Sequence, residues 1–199
     1  AMAYNEERGL VDEFDGVGDL KRGIIRCVGE ARERFQEDAL RMLRAVRFAA
    51  QLGFVLDEQT KQAICELREN LRKVSAERIQ TELVKLLVSP HPERLLEAWE
   101  TGMTAVVLPE FDACMACEQN NPHHSYSVGV HTIKSMGEVE ADKVLRLTML
   151  FHDFGKPQAK TTDANGIDHF RGHQKISEEL AGGILRRLKF DNETIRQVK

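Results

Sequence analysis

The run RFQEDALRMLRAVRF, Arg34 to Phe48, constrains this chain more than any other stretch. At 100° per residue, Leu40, Leu43, Val46 and Ala50 fall on one side of a helix, while Glu37, Asp38, Arg41 and Arg44 share the opposite arc. The spacing predicts a helix from Gln36 to Leu52 with one packed face and one charged face, ended by Gly53 at its C-terminal cap. Asp38 and Arg41 are three residues apart, so a carboxylate acceptor and a guanidinium donor are expected side by side on one rigid surface. Spacing alone favours an ordinary helical ion pair, worth roughly a few tenths of a kcal/mol. The same pair has the chemistry to read a base edge. Adenine and cytosine each show an amino donor beside a ring-nitrogen acceptor, guanine and uracil show the reverse order, and a mismatch leaves buried groups unpaired.

The chain downstream reads as further packed helices. Asp57 is placed to cap a helix from Glu58 to Arg68. A second begins after Ser75, with Ile79, Leu83, Leu86 and Leu87 forming an inward stripe. Glu77 and Arg78, in its first turn, are expected either to bond a neighbouring helix terminus or to remain surface charges. Ser89-Pro90 ends that helix. Another is expected from Pro92 to Trp99 with Leu95, Leu96 and Trp99 inward, broken by Gly102, and Val106 to Pro109 reads as a helical end. Strand character is confined to residues before Gly29, where Leu10-Val11 and Ile24 to Val28 lie between Gly16, Gly18 and Gly23. No flexible linker interrupts the chain, so the helical units are expected to pack together.

A net charge of −4 provides no general basic field, so any RNA contact must be local. No signal peptide or 18-residue apolar run is visible, and four cysteines without such a leader fit reduced thiols in a cytoplasmic protein that does not enter a membrane. Cys114 and Cys117 form a C-x-x-C near His123 and His124. Without a second ligand pair at zinc-finger spacing, they read as packing cysteines and the two histidines as loop residues.

Six of the seven histidines lie beyond residue 120: His123, His124, His131, His152, His169 and His173. His131 opens HTIKSM on a predicted helix, and His152-Asp153 ends the apolar run VLRLTMLFHD. An adjacent His and Asp at a helix end can reach one divalent metal if another helix supplies a histidine. Asp191 and Asn192 are placed to cap the last helix instead.

These stretches together carry a resemblance. RFQEDALRMLRAVRFAAQLGF resembles the E-D-x-x-R region of bacterial tRNA nucleotidyltransferases (CCA-adding enzymes) and their poly(A) polymerase relatives. SAERIQTELVKLL, and then HTIKSM, FHDFGK and GHQKISEELA, follow in that family's order. The resemblance implies a mostly α fold: residues 1–29 as a remnant of the nucleotidyltransferase head, 30–110 as a helical neck for nucleotide recognition and RNA binding, and 111–199 as an HD-type domain that is incomplete at its C-terminus. It implies that Asp38 and Arg41 select the base, with Glu37 completing the motif and Arg44 in support. The substrates implied are ATP and CTP with magnesium, and the partner is a tRNA or other RNA 3′ end. The head's Gly-rich segment, D-x-D pair and R-R-D motif are not found in this sequence. By that reading the chain starts inside the head, does not transfer nucleotides alone, and its N-terminal segment pairs with the head or with another copy.

For the HD portion the resemblance implies a divalent metal on His131, His152 and Asp153. His169 and His173 are candidates for a second site or for phosphate contact, and Lys156 is a candidate to neutralise phosphate. The pattern's last Asp is not matched. Two rival readings follow: a metal-dependent phosphohydrolase acting on nucleotides or 2′,3′-cyclic phosphates, and a non-catalytic RNA-binding module.

Overall fold

The computed structural model describes residues 2–120 and 126–199. His123 and His124, expected as loop residues, lie outside them. A hairpin opens the chain, β1 (Met2–Asn5) against β2 (Gly9–Asp12), antiparallel with Met2 opposite Asp12. Helix α1 (Gly16–Arg22) leads to β3 (Ile24–Ile25). The predicted turn, short helix and strand are therefore present, although the strand stops at Ile25.

The expected helix from Gln36 to Leu52 is two helices, α2 (Ala31–Glu37) and α3 (Leu40–Leu52). Asp38 stands between them in extended backbone, φ −151° and ψ 102°. Its Oδ1 accepts from the Leu40 amide at 3.2 Å, which satisfies a free donor of the next helix start. Eight residues of α3 are buried, including the predicted Leu40, Leu43, Val46 and Ala50. The buried surface is wider than the predicted stripe because Met42, Ala45, Arg47 and Ala49 also face neighbours. Gly53 closes α3 in the left-handed region, φ 69°.

Strand β4 (Val55–Leu56) follows and runs parallel to β3, Ile24 beside Val55 and Ile25 beside Leu56. This overturns the expectation that strands end before Gly29. A two-residue strand has no pattern of its own and exists because its partner is present. Asp57 then caps α4 (Glu58–Leu67) by accepting from the Thr60 amide at 3.2 Å. A 3-10 turn over Arg68–Lys73 leads to α5 (Ala76–Leu87), whose predicted stripe is buried against α3.

Beneath that contact lies an ion pair. Arg47 Nε of α3 stands 2.9 Å from Glu82 Oε2 of α5, with both side chains about nine-tenths buried. The atoms meet as a charge contact, not as an aligned hydrogen bond. The Arg47 guanidinium also lies 3.9 Å over the Phe48 ring.

A 3-10 turn at Pro92–Arg94 opens α6 (Leu95–Glu100), followed by α7 (Thr104–Val107) and α8 (Pro109–Ala116). Leu95 is buried as expected, but Ala98 takes the inward position and Trp99 is exposed. Ala98 and Trp99 both neighbour Leu95 on one helix face, at i+3 and i+4, and the small side chain is the one that is covered.

The remaining elements are α9 (Val128–Gly137), α10 (Lys143–Phe151), α11 (Lys156–Ala159), the hairpin β5 (Thr161–Thr162) with β6 (Asp168–His169), α12 (His173–Arg187) and α13 (Asn192–Val198). Asp142 caps α10 by accepting from Val144 and Leu145 amides, and Asp191 caps α13 from Thr194, as predicted. Phe154 fills the centre of this unit, edge-on to Phe151 at 5.1 Å and tilted to Phe111 at 6.4 Å. The two helical units pack together as expected, α10 on α5 and α9 on the Pro92–Arg94 turn. No helix among the described residues is long and apolar enough to cross a membrane.

Candidate functional site

Two clusters hold the residues singled out from the sequence. The first surrounds the joint between α2 and α3. Arg41 Nη1 donates to Glu37 Oε2 at 2.6 Å and to the Arg34 carbonyl at 3.1 Å. Arg34 holds the same Glu37 oxygen at 2.9 Å. The bond from Arg41, with the two guanidinium charges, holds the Glu37 carboxyl below its usual range. Asp38 faces the other way: its Oδ2 accepts from Arg78 Nη2 at 2.8 Å, and that bond lowers its pKa too. Arg78 thus bonds the neighbouring helix terminus, one of its two expected roles.

The break at Asp38 separates the expected pair. Arg41 and Arg44 border a cavity of about 240 Å³ walled by Phe35, Phe48 and Arg26. Asp38 borders another of about 350 Å³ with Asn70, Lys73 and Arg78. Asp38 and Arg41 are therefore near in the chain but do not converge on one space in this conformation. Arg44 is exposed and makes no side-chain hydrogen bond or ion pair among the described residues. Sequence reasoning missed Arg26 and Phe48. Phe48 left a signal, since Arg41, Arg44 and Phe48 follow i, i+3, i+7 on the charged arc, where an aromatic has no core to fill.

The second cluster centres on Asp153, just past α10. His131 of α9, His152 and Asp153 offer ligand atoms that all lie within 4.8 Å of one another. Asp153 Oδ2 stands 3.1 Å from His152 Nε2, 3.7 Å from His131 Nε2 and 2.8 Å from Lys156 Nζ. Its Oδ1 stands 3.3 Å from His173 Nε2, at the start of α12. His169 does not join them. It turns to Asp163 at 3.0 Å because the β5–β6 hairpin carries it away.

Backbone carbonyls orient two of the rings. His152 Nδ1 lies 2.7 Å from the Met149 carbonyl and His173 Nδ1 lies 2.6 Å from that of Phe170. A carbonyl only accepts, so each Nδ1 carries the proton and each Nε2 faces the carboxylate. Burial disfavours the His152 imidazolium, yet its hydrogen bond to Asp153 and that carboxylate's charge raise its pKa overall. Burial likewise opposes the Asp153 charge, and the bonds from His152 and Lys156 outweigh it, holding the carboxyl well below the usual range.

The donor set suits a divalent transition metal. Two imidazoles and one carboxylate supply three ligands and leave open positions. The Met149 carbonyl fixes the His152 tautomer as an outer partner of a ligating imidazole does. Gly155 brings α12 close, since a Cβ there would overlap the His173 carbonyl oxygen and lie 2.7 Å from the Ser177 amide. Gln119, which had no sequence signal, accepts from Lys156 at 2.9 Å. Cys114 and Cys117 are buried free thiols, and burial pushes Cys114 up to about 12, as suits packing cysteines.

Comparison with known proteins gives the class. Residues 53–115 match the family described as the probable RNA and SrmB-binding site of polymerase A. The A-adding tRNA nucleotidyltransferase of Deinococcus radiodurans is 34% identical over 209 residues, covering 99% of this chain and 48% of that protein. The CCA-adding enzyme of Lactobacillus johnsonii is 45% identical over 108 residues, 54% of this chain and 27% of that enzyme. The solved Bacillus stearothermophilus CCA-adding enzyme in complex with CTP superposes with a TM-score of 0.59 at 29% identity, over 98% of this chain and 41% of that one. A CCA-adding enzyme solved with ATP shares the fold at 19% identity and a TM-score of 0.56, over 96% of this chain and 40% of that one.

Fold and sequence thus define a mostly helical protein related to the tRNA nucleotidyltransferases. The chain belongs to the bacterial tRNA nucleotidyltransferase and poly(A) polymerase family. The chain spans about half the length of the Deinococcus relative, and the match to the Lactobacillus enzyme spans about a quarter of that protein.

Proposed function

We propose that residues 30–110 select the incoming nucleotide and contact the RNA 3′ end in cytoplasmic tRNA 3′-end nucleotidyl transfer, acting with ATP and CTP. The transfer step needs a carboxylate pair holding magnesium, which a nucleotidyltransferase head supplies. The observation that carries this reading is Arg41, held by Glu37 at the mouth of a cavity walled by Phe35, Phe48 and Arg44. Aromatic rings stack any base, and a guanidinium donates to a ring nitrogen. Asp38 completes the readout by turning from Arg78 to accept from the amino group of adenine or cytosine. Titrating ATP, CTP, GTP and UTP into the chain, followed by amide chemical shifts, tests it. ATP and CTP should shift Arg41, Arg44 and Phe48 more strongly than GTP and UTP, with the preference lost in Arg41→Ala. Equal responses to all four nucleotides, unchanged in that variant, would refute the assignment.

A second reading rests on the convergence of His131, His152 and Asp153. Residues 111–199 form an HD-type unit that hydrolyses phosphate esters, nucleotides or 2′,3′-cyclic phosphates. The three side chains would hold a divalent metal, which when bound polarises a phosphoryl oxygen and lowers the pKa of its water. His173 steadies the far oxygen of Asp153, and Lys156 meets phosphate. Elemental analysis of the dialysed chain beside a phosphodiester assay tests this. Bound metal, with both metal and activity lost in His152→Ala, supports it. A metal-free, inactive chain with salt-sensitive tRNA binding assigns this unit to RNA contact alone.

A further inference from the structure

Lys156 bonds the carboxylate at the centre of the His–Asp cluster, the same group that a divalent cation would need. Its side chain is buried, and its ammonium donates to Asp153 Oδ2 at 2.8 Å and Gln119 Oε1 at 2.9 Å. Gln119 is itself held in place, donating through Nε2 to the Tyr126 carbonyl at 3.0 Å. The Phe170 ring lies 5.4 Å from the ammonium. The carboxylate oxygen that Lys156 occupies is the same one that His152 and His131 approach. Asp153 is therefore already charge-balanced from within the chain. A cation drawn to this oxygen meets a fixed positive charge a few ångströms away, at low dielectric.

We propose that Lys156 is an internal counter-ion that competes with a divalent cation for Asp153, and that a phosphate ester draws it away, so that cation and phosphate bind cooperatively. The inference rests on the phosphohydrolase reading of this cluster and adds its order of loading. A lysine ammonium is a compact charge on a flexible stem, with three donors to redirect from carboxylate to phosphate without backbone movement. Asp153 then regains its full negative charge as the phosphate enters. The coupling is reciprocal: phosphate tightens the cation by the factor by which the cation tightens phosphate. Without phosphate the cluster stays closed on its own lysine, which protects the metal-free fold from an uncompensated buried carboxylate.

Calorimetric titration of Mn2+ into the metal-stripped chain, with and without AMP as the phosphate monoester, tests the proposal, each titration corrected for Mn2+ bound by AMP alone. AMP should tighten Mn2+ by about tenfold in the wild type, within the usual range of coupling between sites. Lys156→Met should bind Mn2+ about tenfold more tightly than the wild type without AMP, and the AMP effect should vanish. Lys156→Gln, which keeps a donor toward Asp153 and Gln119, should behave alike, and thermal melts followed by circular dichroism confirm folding of each variant. Mn2+ binding no tighter in either folded variant, with the AMP effect intact, overturns the competition while leaving the metal site standing. No Mn2+ binding in wild type or variants overturns the metal site and the proposal together.

Discussion

Replacing Glu82 with Gln tests how α3 is held. The substitution keeps the side-chain volume and removes the charge opposite Arg47, whose side chain is only 10% exposed. Losing one partner of a buried ion pair costs about 3–5 kcal/mol, because the remaining charge stays desolvated. Arg47 retains its stack on Phe48 at 3.9 Å, which is worth roughly 0.5–1 kcal/mol and places the loss near the lower figure. A loss of about 3 kcal/mol lowers the melting temperature of a chain this size by roughly 6–12 °C. Urea unfolding is the suitable assay, since guanidinium chloride would screen the pair under study. The double variant Arg47→Met with Glu82→Leu removes both charges and should recover most of the loss. A single-variant loss below about 1 kcal/mol, or a double variant that loses the sum of the singles, would refute the argument.

Two further outcomes follow from close packing and from charge. Gly155→Ala pushes a methyl group into the backbone of α12; a loss of about 1–3 kcal/mol is expected, and His173 should leave Asp153, visible as a changed imidazole shift. Asp168 accepts from Lys160, Thr162 and the Asn120 amide, bonds that pull its pKa down from 3.8 to about 2. A depressed carboxyl stabilises the fold above its unfolded pKa and loses that contribution as pH falls through its folded one. The β5–β6 hairpin should hold above pH ~4 and loosen between about 4 and 2. Amide exchange measured across that range checks it, and an Asp168 carboxyl titrating near 3.8 would remove the basis.

Features that were legible in the sequence are those that local spacing decides. The stripe Ile79, Leu83, Leu86 and Leu87 needs only the helical period, and Asp57 and Asp191 need only the helix start that follows. The cluster of His131, His152 and Asp153 was also legible, because motif order carried residues that lie on different helices. What escaped depends on remote partners. Nothing in EDALR reveals a break at Asp38, since the residue's extended backbone answers to Arg78 forty positions away as much as to its own Leu40. Trp99 lost the inward position to Ala98, its neighbour on the same helix face, because which of the two is covered depends on what packs there. His169 follows its hairpin to Asp163, and Lys156 meets Gln119 across 37 residues that share no pattern.

The parallel pair β3–β4 also sets an order on folding. Ile24 meets Val55 across about thirty residues that contain α2 and α3, so this contact requires closing a long loop before it gains any bond. Helix α3 delivers the partner strand, because β4 begins two residues beyond its Gly53 cap. The N-terminal segment is thus expected to attach late in folding and to be released first, which faster amide exchange at Ile25 than at Leu43 would show.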